Sequence, residues 1–585
     1  MGETLSLNIG SFAFLIVSCL IFPPTPTAPV TRFKIQDTHK YKDTMKPATG
    51  HDMPIEERFH DEQGQWDATL EDARAANTYE HSLTVRSALR SYPWAVVWSL
   101  LISLSIIMEG YDTALINSLY AYPAYARHFG AIESTTGTYQ IPTQWQSSMS
   151  SGSQVGAIIG ALVNGFIVGR FGYRLAFLIG ILLMASFISI SFFGMTVGFQ
   201  TAGQVLCGVP WGIFATIGPA YASELCPLPL RAYLTAYTNL CFASGQFIAA
   251  GVLQSLLKRG DDWAWRMTFG LQWIWIPILG IAALFMPESP WFLVRKGRYA
   301  DAEKIVLRLI AGSEKSHSKS IVALMIYTNN LEFSVSQGTS YSDCFKGVDL
   351  RRTEIAIVTF LGQITCGAQF AYSATYFFQQ AGLNSEESYK LNLGGTAIAF
   401  IGTLISWILM RRIGRRILYV CGMSGMALWL FMIGILAIPT SNSNVKWVQS
   451  ALCLIWLLTF SLTVGPIGWT IPAEVSSTRL RSKTIVLARN GYYVAQIIAN
   501  VIQPYMMNPL AWDWKGKTGL FWFAFALMTV VWAFFRLPET KDRSYEELDL
   551  MFIAKVPTRH FKKYQLNSFE MGTINSRKAD GNAIE

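Results

Sequence analysis

Two carboxylates and one guanidinium stand where charge is expensive. Glu109 and Asp112 are three residues apart in an apolar run that begins near Trp94, so a helix puts them on neighbouring positions of one face. Arg489 lies a few residues inside another apolar run, 486–508. A charged side chain at the centre of a bilayer-spanning helix costs about 2.5–3.5 kcal/mol, so ionisable groups kept there have a purpose. An acidic pair and a lone Arg can neutralise each other across a shared cavity. Protonating the carboxylate would release the Arg, which is a physical route from proton binding to a conformational change. The competing reading is a static ion pair.

Uncharged polar groups form a second set. Asn239 and Gln246 are seven apart and share a helix face. Gln363, Gln369, Tyr372 and Tyr376 fall in one later apolar run, and Trp469 falls in another. Amides and hydroxyls both donate and accept, which suits a ligand built of hydroxyl groups. Aromatic faces suit the apolar C–H face of a sugar ring. A single Gln in a membrane serves equally well as glue between helices; several on faces that can meet in one cavity point to a ligand site.

A third set occurs twice. Arg170-Phe171-Gly172-Tyr173-Arg174, then Glu224 and Arg231, then Pro287-Glu288-Ser289-Pro290 are followed, in the same order, by Arg412-Ile413-Gly414-Arg415-Arg416, Glu474 and Arg481, and Pro538-Glu539-Thr540-Lys541. The offsets are 242 (170 to 412), 250 (224 to 474) and 251 (287 to 538) residues. Three matches in one order mean a duplicated unit. Glu224, Arg231, Glu474 and Arg481 sit at the ends of apolar runs, where they can bridge to Arg170 or Arg174 and to Arg412 or Arg415. Such pairs serve as a gate on the cytoplasmic side or as structural staples, and the two readings are compatible.

The elements that position these groups follow from hydropathy. The 585 residues are 51% hydrophobic and 15% charged, which excludes a water-soluble assembly. Twelve apolar spans approach the ~20 residues a bilayer requires: 94–119, 144–168, 174–194, 198–220, 234–257 and 267–286, then 355–380, 391–410, 417–438, 447–470, 486–508 and 517–535. The expected organisation is a largely disordered N-terminal region (1–92), a six-helix bundle (93–289), a middle loop with short helices (290–354), a second bundle (355–537) and a C-terminal tail (538–585). The fold class is an all-α membrane protein of two pseudo-symmetric six-helix bundles. Basic residues crowd the short loops on one side, so the positive-inside rule puts both termini and the middle loop in the cytoplasm. That same placement makes the net charge of +9 a topology signal and not a nucleic-acid footprint. Eight scattered cysteines show no paired spacing, so neither disulfides nor a metal is expected. The apolar segment 11–22 is too short to span and lacks a basic start, a poor secretory signal.

From about Asn77 to about Phe552 the chain resembles the sugar porter family of the major facilitator superfamily, and within it the fungal maltose and α-glucoside permeases. The residues carrying this are Glu109-Gly110-Tyr111-Asp112-Thr113, Ser223-Glu224 through Arg231, Pro287-Glu288-Ser289-Pro290, Gln204-Val-Leu-Cys-Gly-Val-Pro-Trp, Gly465-Pro466 through Trp469, Leu487-Ala-Arg489-Asn and Pro538-Glu539-Thr540-Lys541. The resemblance implies Asp112 as the proton-coupling carboxylate, with Glu109 and Arg489 at charged membrane positions. It implies Gln246, Gln363, Gln369 and Trp469 as sugar contacts, with Asn239 and Tyr376 as further candidates. Three departures stand out. Gln204 takes a place where many proton-linked porters have Arg; Ala157, in Gly156-Ala157-Ile158-Ile159-Gly160, replaces a membrane Glu; and the seventh span has Gln363 and Gln369 where hexose porters have a paired Gln and an Asn. The expected activity is proton-coupled import of a maltose-type disaccharide across the plasma membrane by a monomer, with a sugar, protons and the bilayer as partners and no cofactor beyond the proton gradient. The alternatives are an uncoupled facilitator, which Ala157 supports, and a non-transporting sugar sensor, which the tail of about 45 residues argues against.

Overall fold

Apolar side chains in runs of 20 or more leave the backbone one way to satisfy its hydrogen bonds in lipid, which is to coil on itself. The computed structural model describes residues 58–60, 67–132, 139–336, 340–438, 443–477, 480–541, 543, 545–562 and 564. The apolar segment 11–22 lies outside the described residues. Eleven described helices are long and apolar enough to cross a membrane. They are Pro93–Leu119, Thr143–Phe171, Tyr173–Phe193, Val197–Leu225, Trp263–Phe285, Gly347–Tyr372, Ser385–Met410, Arg415–Leu436, Val445–Val475, Lys483–Met507 and Lys515–Arg536. The helix Leu228–Leu256, with 29 residues, stands between the fourth and sixth crossings and completes the twelve; at 1.5 Å per residue it is about 43 Å long.

Four spans are interrupted. The first breaks at Leu104, between Pro93–Ser103 and Ser105–Leu119. In the sixth, Leu271–Ile274 tightens to a 3-10 turn. The seventh ends its first segment at Thr365, turns through Gly367 at φ 87°, and resumes as Ala368–Tyr372 and Ala374–Gln380. Only glycine takes that left-handed conformation without strain. The tenth is interrupted at Thr463, just before Gly465-Pro466. Interrupted helices expose backbone groups that an unbroken helix would consume, and in transporters they line the ligand path.

The second and fourth spans pack through glycine. A methyl group on Gly156 would run into the carbonyl of Val205, one on Gly160 into that of Val209, and one on Gly212 into that of Ala157. Backbones that touch in this way exclude side chains from the contact. Ala157 is buried beside it.

The N-terminal stretch expected to be disordered is folded over 67–92. A short antiparallel pair, Arg58–His60 with Asp67–Thr69, leads into a helix Leu70–Ser82. Thr69 and Asp72 form a reciprocal capping box at its start, a local helix-start signal present in the sequence. The middle segment carries helices at Pro290–Arg295, Tyr299–Leu309 and Ser318–Ser336. After the twelfth span, a helix Tyr545–Ile553 folds back, and Asp549 meets the buried Arg352 at 2.5 Å.

Candidate functional site

Asp112 and Glu109 lie beyond the break in the first span and face different partners. Asp112 is buried, and its Oδ1 accepts a hydrogen bond from Gln272 Nε2 at 3.0 Å. Gln272 belongs to the 3-10 turn of the sixth span, so the irregularity in that helix delivers the amide. Gln204, also buried, lies against the same carboxylate. Asp112 is thus surrounded by neutral amides. Glu109, one turn earlier, is on the first span, and its charge is opposite to that of Arg489 in the other half of the molecule. Among the described residues neither carboxylate makes an ion pair within 4.0 Å of Arg489. The guanidinium lies over the rings of Trp469, Tyr492, Tyr493 and Phe360 instead.

Four of the predicted sugar contacts divide between two polar cavities that share Asn117, and Gln363 and Trp469 line neither. Gln369 and Tyr376 line the first, with Tyr120, Gln146, Ser150, Asn500 and Gln503. Gln246 and Tyr372 line the second, with Thr113, Asn392 and Thr396. Gln363 donates to the carbonyl of Gly465 at 2.7 Å, two residues past the break in the tenth span. Asn239 lines neither of these cavities. Asn117, Asn392 and Gln272 were not singled out from the sequence. The rule that found Asp112, a polar group inside an apolar run, applies to all three.

The two halves are tied together near the cavities, at the end of the bundle that carries residues 118–150 and 500–508. Tyr389 Oη donates to Ser118 O at 2.6 Å, and Gln379 Nε2 to Ala121 O at 2.9 Å. Asn500 Nδ2 reaches Ser150 O and Asn508 Nδ2 reaches Ile141 O, each at 2.9 Å. Tyr376 Oη donates to Gln140 Oε1 at 3.1 Å. Four of these five acceptors are backbone carbonyls, which no sequence pattern marks. This seal was not legible in the sequence.

The duplicated motifs occupy the opposite end, and the bonds they make run within one half or to the middle segment. Glu288 accepts from the backbone N–H of Tyr173 at 2.8 Å, and Glu539 from that of Arg415 at 2.8 Å. Each carboxylate caps the start of a span, where unpaired N–H groups attract negative charge. Ser289 and Thr540, the next residues, donate to Glu224 and Glu474. Glu224 takes its ion pair from Arg295 at 2.8 Å, a residue of the middle segment, and not from Arg170 or Arg174. Arg174 donates to Leu284 O, and Arg170 lies over the Phe171 ring at 5.6 Å. Glu474 pairs with Arg415 at 3.2 Å. The carbonyl of Arg412 accepts from Lys541 at 3.0 Å. Arg231 lies in the first turn of the helix Leu228–Leu256, and the Arg481 side chain lies outside the described residues.

Comparison with known proteins agrees with this geometry. A family profile described as "Sugar (and other) transporter" matches residues 98–552. A maltose permease of Saccharomyces cerevisiae is 36% identical over 511 residues, covering 86% of this chain and 83% of its own length. A general alpha-glucoside permease of the same organism is also 36% identical, over 86% of this chain and 82% of its own. Among solved structures, the xylose transporter XylE from E. coli in a partially occluded inward-open conformation superposes with a TM-score of 0.64 at 18% identity, covering 77% of this chain and all of that one. That likeness establishes the major facilitator fold. Two six-helix halves with a polar interior, and a family match across nearly all of them, make the chain a multi-pass membrane transporter and not an enzyme; it belongs to the sugar transporter family.

Proposed function

We propose that this transporter imports an α-glucoside of the maltose type together with a proton, by alternating access across the plasma membrane. The observation that carries the reading is identity of 36% over most of the chain to permeases named for maltose and α-glucosides. Geometry supports it in two ways. Amide and hydroxyl groups line both cavities between the halves, and Asp112 is buried among neutral partners that can hold it protonated or charged.

In this reading Asp112 carries the coupled proton, and Glu109 and Arg489 are the charges that respond to it. Gln246, Gln363, Gln369, Tyr372, Tyr376 and Trp469 contact the sugar, with Asn239 a further candidate. The basic end faces the cytoplasm, so both termini are inside and the amide seal closes the outer side. The protein works as a monomer and needs no cofactor. One charge crossing ~100 mV is worth ~2.3 kcal/mol, and at 1.4 kcal/mol per decade this supports roughly fortyfold accumulation.

A competition panel of labelled maltose, trehalose, isomaltose, sucrose and glucose in a transporter-null host tests the substrate class. Maltose-type uptake with alkalinisation of a weakly buffered medium is expected. Transport of glucose alone would sink the disaccharide reading. Uptake without alkalinisation would replace symport by facilitation, the reading favoured by Ala157 beside the glycine contact of the second and fourth spans.

A further inference from the structure

Arg489 is held by aromatic rings. Its guanidinium carbon is 4.2 Å from the ring centroid of Trp469, 4.8 Å from those of Tyr492 and Tyr493, and 5.7 Å from that of Phe360. The rings come from the seventh, tenth and eleventh spans and brace one another. Phe360 stands edge-on to Trp469 at 5.4 Å and to Tyr492 at 6.3 Å. One guanidinium nitrogen, Nη1, is buried without a hydrogen-bond partner among the described residues. A partly buried cation over ring faces gains about 1–2 kcal/mol, and that attraction stands in for the absent carboxylate.

The rings differ in what else they can touch. Phe360 is 2% exposed, whereas Trp469 is 46% exposed. Phe360 therefore meets only protein, the cage on one side and Ala356 and Ala488 in the core, while Trp469 has surface left for a ligand. Among the described residues, Glu109 on the first span is the carboxylate whose charge reaches the guanidinium from the other half.

We propose that Trp469 is shared between sugar and guanidinium, and that the four-ring cage is how sugar occupancy reaches Arg489. A sugar ring stacked on Trp469 turns the indole, the guanidinium leaves the cage, and Glu109 receives it. Phe360, Tyr492 and Tyr493 are positioning residues that keep Arg489 away from Glu109 until sugar arrives. The inference rests on the proton-coupled reading above.

Phe360 is the discriminating position. Phe360→Met preserves volume and packing but removes the ring face; Phe360→Tyr keeps the ring. Purified transporter in proteoliposomes is given labelled maltose in two assays, exchange at equal sugar on both sides and accumulation driven by an imposed pH gradient. Phe360→Met should keep exchange within about twofold and lose about tenfold in accumulation, equivalent to ~1.4 kcal/mol, while Phe360→Tyr keeps both. Accumulation by Phe360→Met equal to that of the parent would overturn the cage. So would parallel loss of exchange and accumulation in both Phe360→Met and Phe360→Leu, the signature of plain packing damage. A parent protein that exchanges maltose without accumulating it would overturn the coupling reading, and this inference with it.

Discussion

At the scale of single residues, Glu109 and Asp112 share a helix face and yet belong to different circuits. Asp112 is bonded to Gln272 within its own half, while Glu109 faces the charge of Arg489 in the other. A proton on Asp112 is therefore felt first inside the N-terminal bundle. Asp112→Asn should abolish concentrative uptake and leave exchange of labelled maltose within a few-fold of the parent; accumulation that survived would remove Asp112 from the coupling role. Trp469 bears both on Arg489 and on the proposed sugar path. Trp469→Leu should raise KM for maltose by about tenfold, the size of a lost aromatic stacking contact of ~1.4 kcal/mol, as read from initial rates over a range of sugar concentrations.

At the scale of elements, the breaks in the first, sixth, seventh and tenth spans matter more than the unbroken helices. Three of them lie beside polar groups of the interior: Gln272 in the 3-10 turn, Gln369 after Gly367, and Gly465, whose carbonyl Gln363 holds, just past the break in the tenth. The seal beside the cavities is built from single hydrogen bonds of roughly 1 kcal/mol. Removing two of them in an Asn500→Ala, Asn508→Ala protein should shift the balance of states toward opening at that end by about thirtyfold. Labelling of an Asn117→Cys reporter, in a Cys421→Ser background, by a membrane-impermeant thiol reagent would register the shift as faster modification from the side of the seal. The glycine contact makes the opposite prediction, of intolerance. A side chain on Gly208 would meet the carbonyl of Ser153. Gly208→Val should therefore cost folded protein, measured as loss of a monodisperse peak in detergent.

At the scale of the whole molecule, each half is stapled internally at the end bearing the duplicated motifs, and the halves meet through amide-to-carbonyl bonds at the other. Rigid halves with a soft seam suit rocking motion. The C-terminal helix strengthens one half through Arg352, which pairs with Asp549 and donates to the carbonyl of Val475 at 2.7 Å. Removing one partner of a buried pair leaves an uncompensated charge, at a cost of about 3–5 kcal/mol. Asp549→Ala should lower the melting temperature of the purified protein clearly, whereas a surface change such as Lys304→Ala should leave it unmoved.

The amino-acid sequence by itself determined the twelve crossings, the duplication and the identity of the charged residues. Hydropathy, loop charge and motif spacing are local properties, and lipid punishes exceptions to them severely. It also carried Gln246, Gln369, Tyr372 and Tyr376 as polar residues in apolar runs, without showing that they would divide between two cavities. Only the tertiary structure decided the partners. Whether Glu224 meets Arg174 or Arg295, and whether Arg489 meets a carboxylate or four rings, depends on which faces of different helices come together. Periodicity along one helix names a face; it does not name the neighbour. The acceptors of the seal are backbone carbonyls, present at every position, so only packing selects which of them the amides of Asn500 and Asn508 reach.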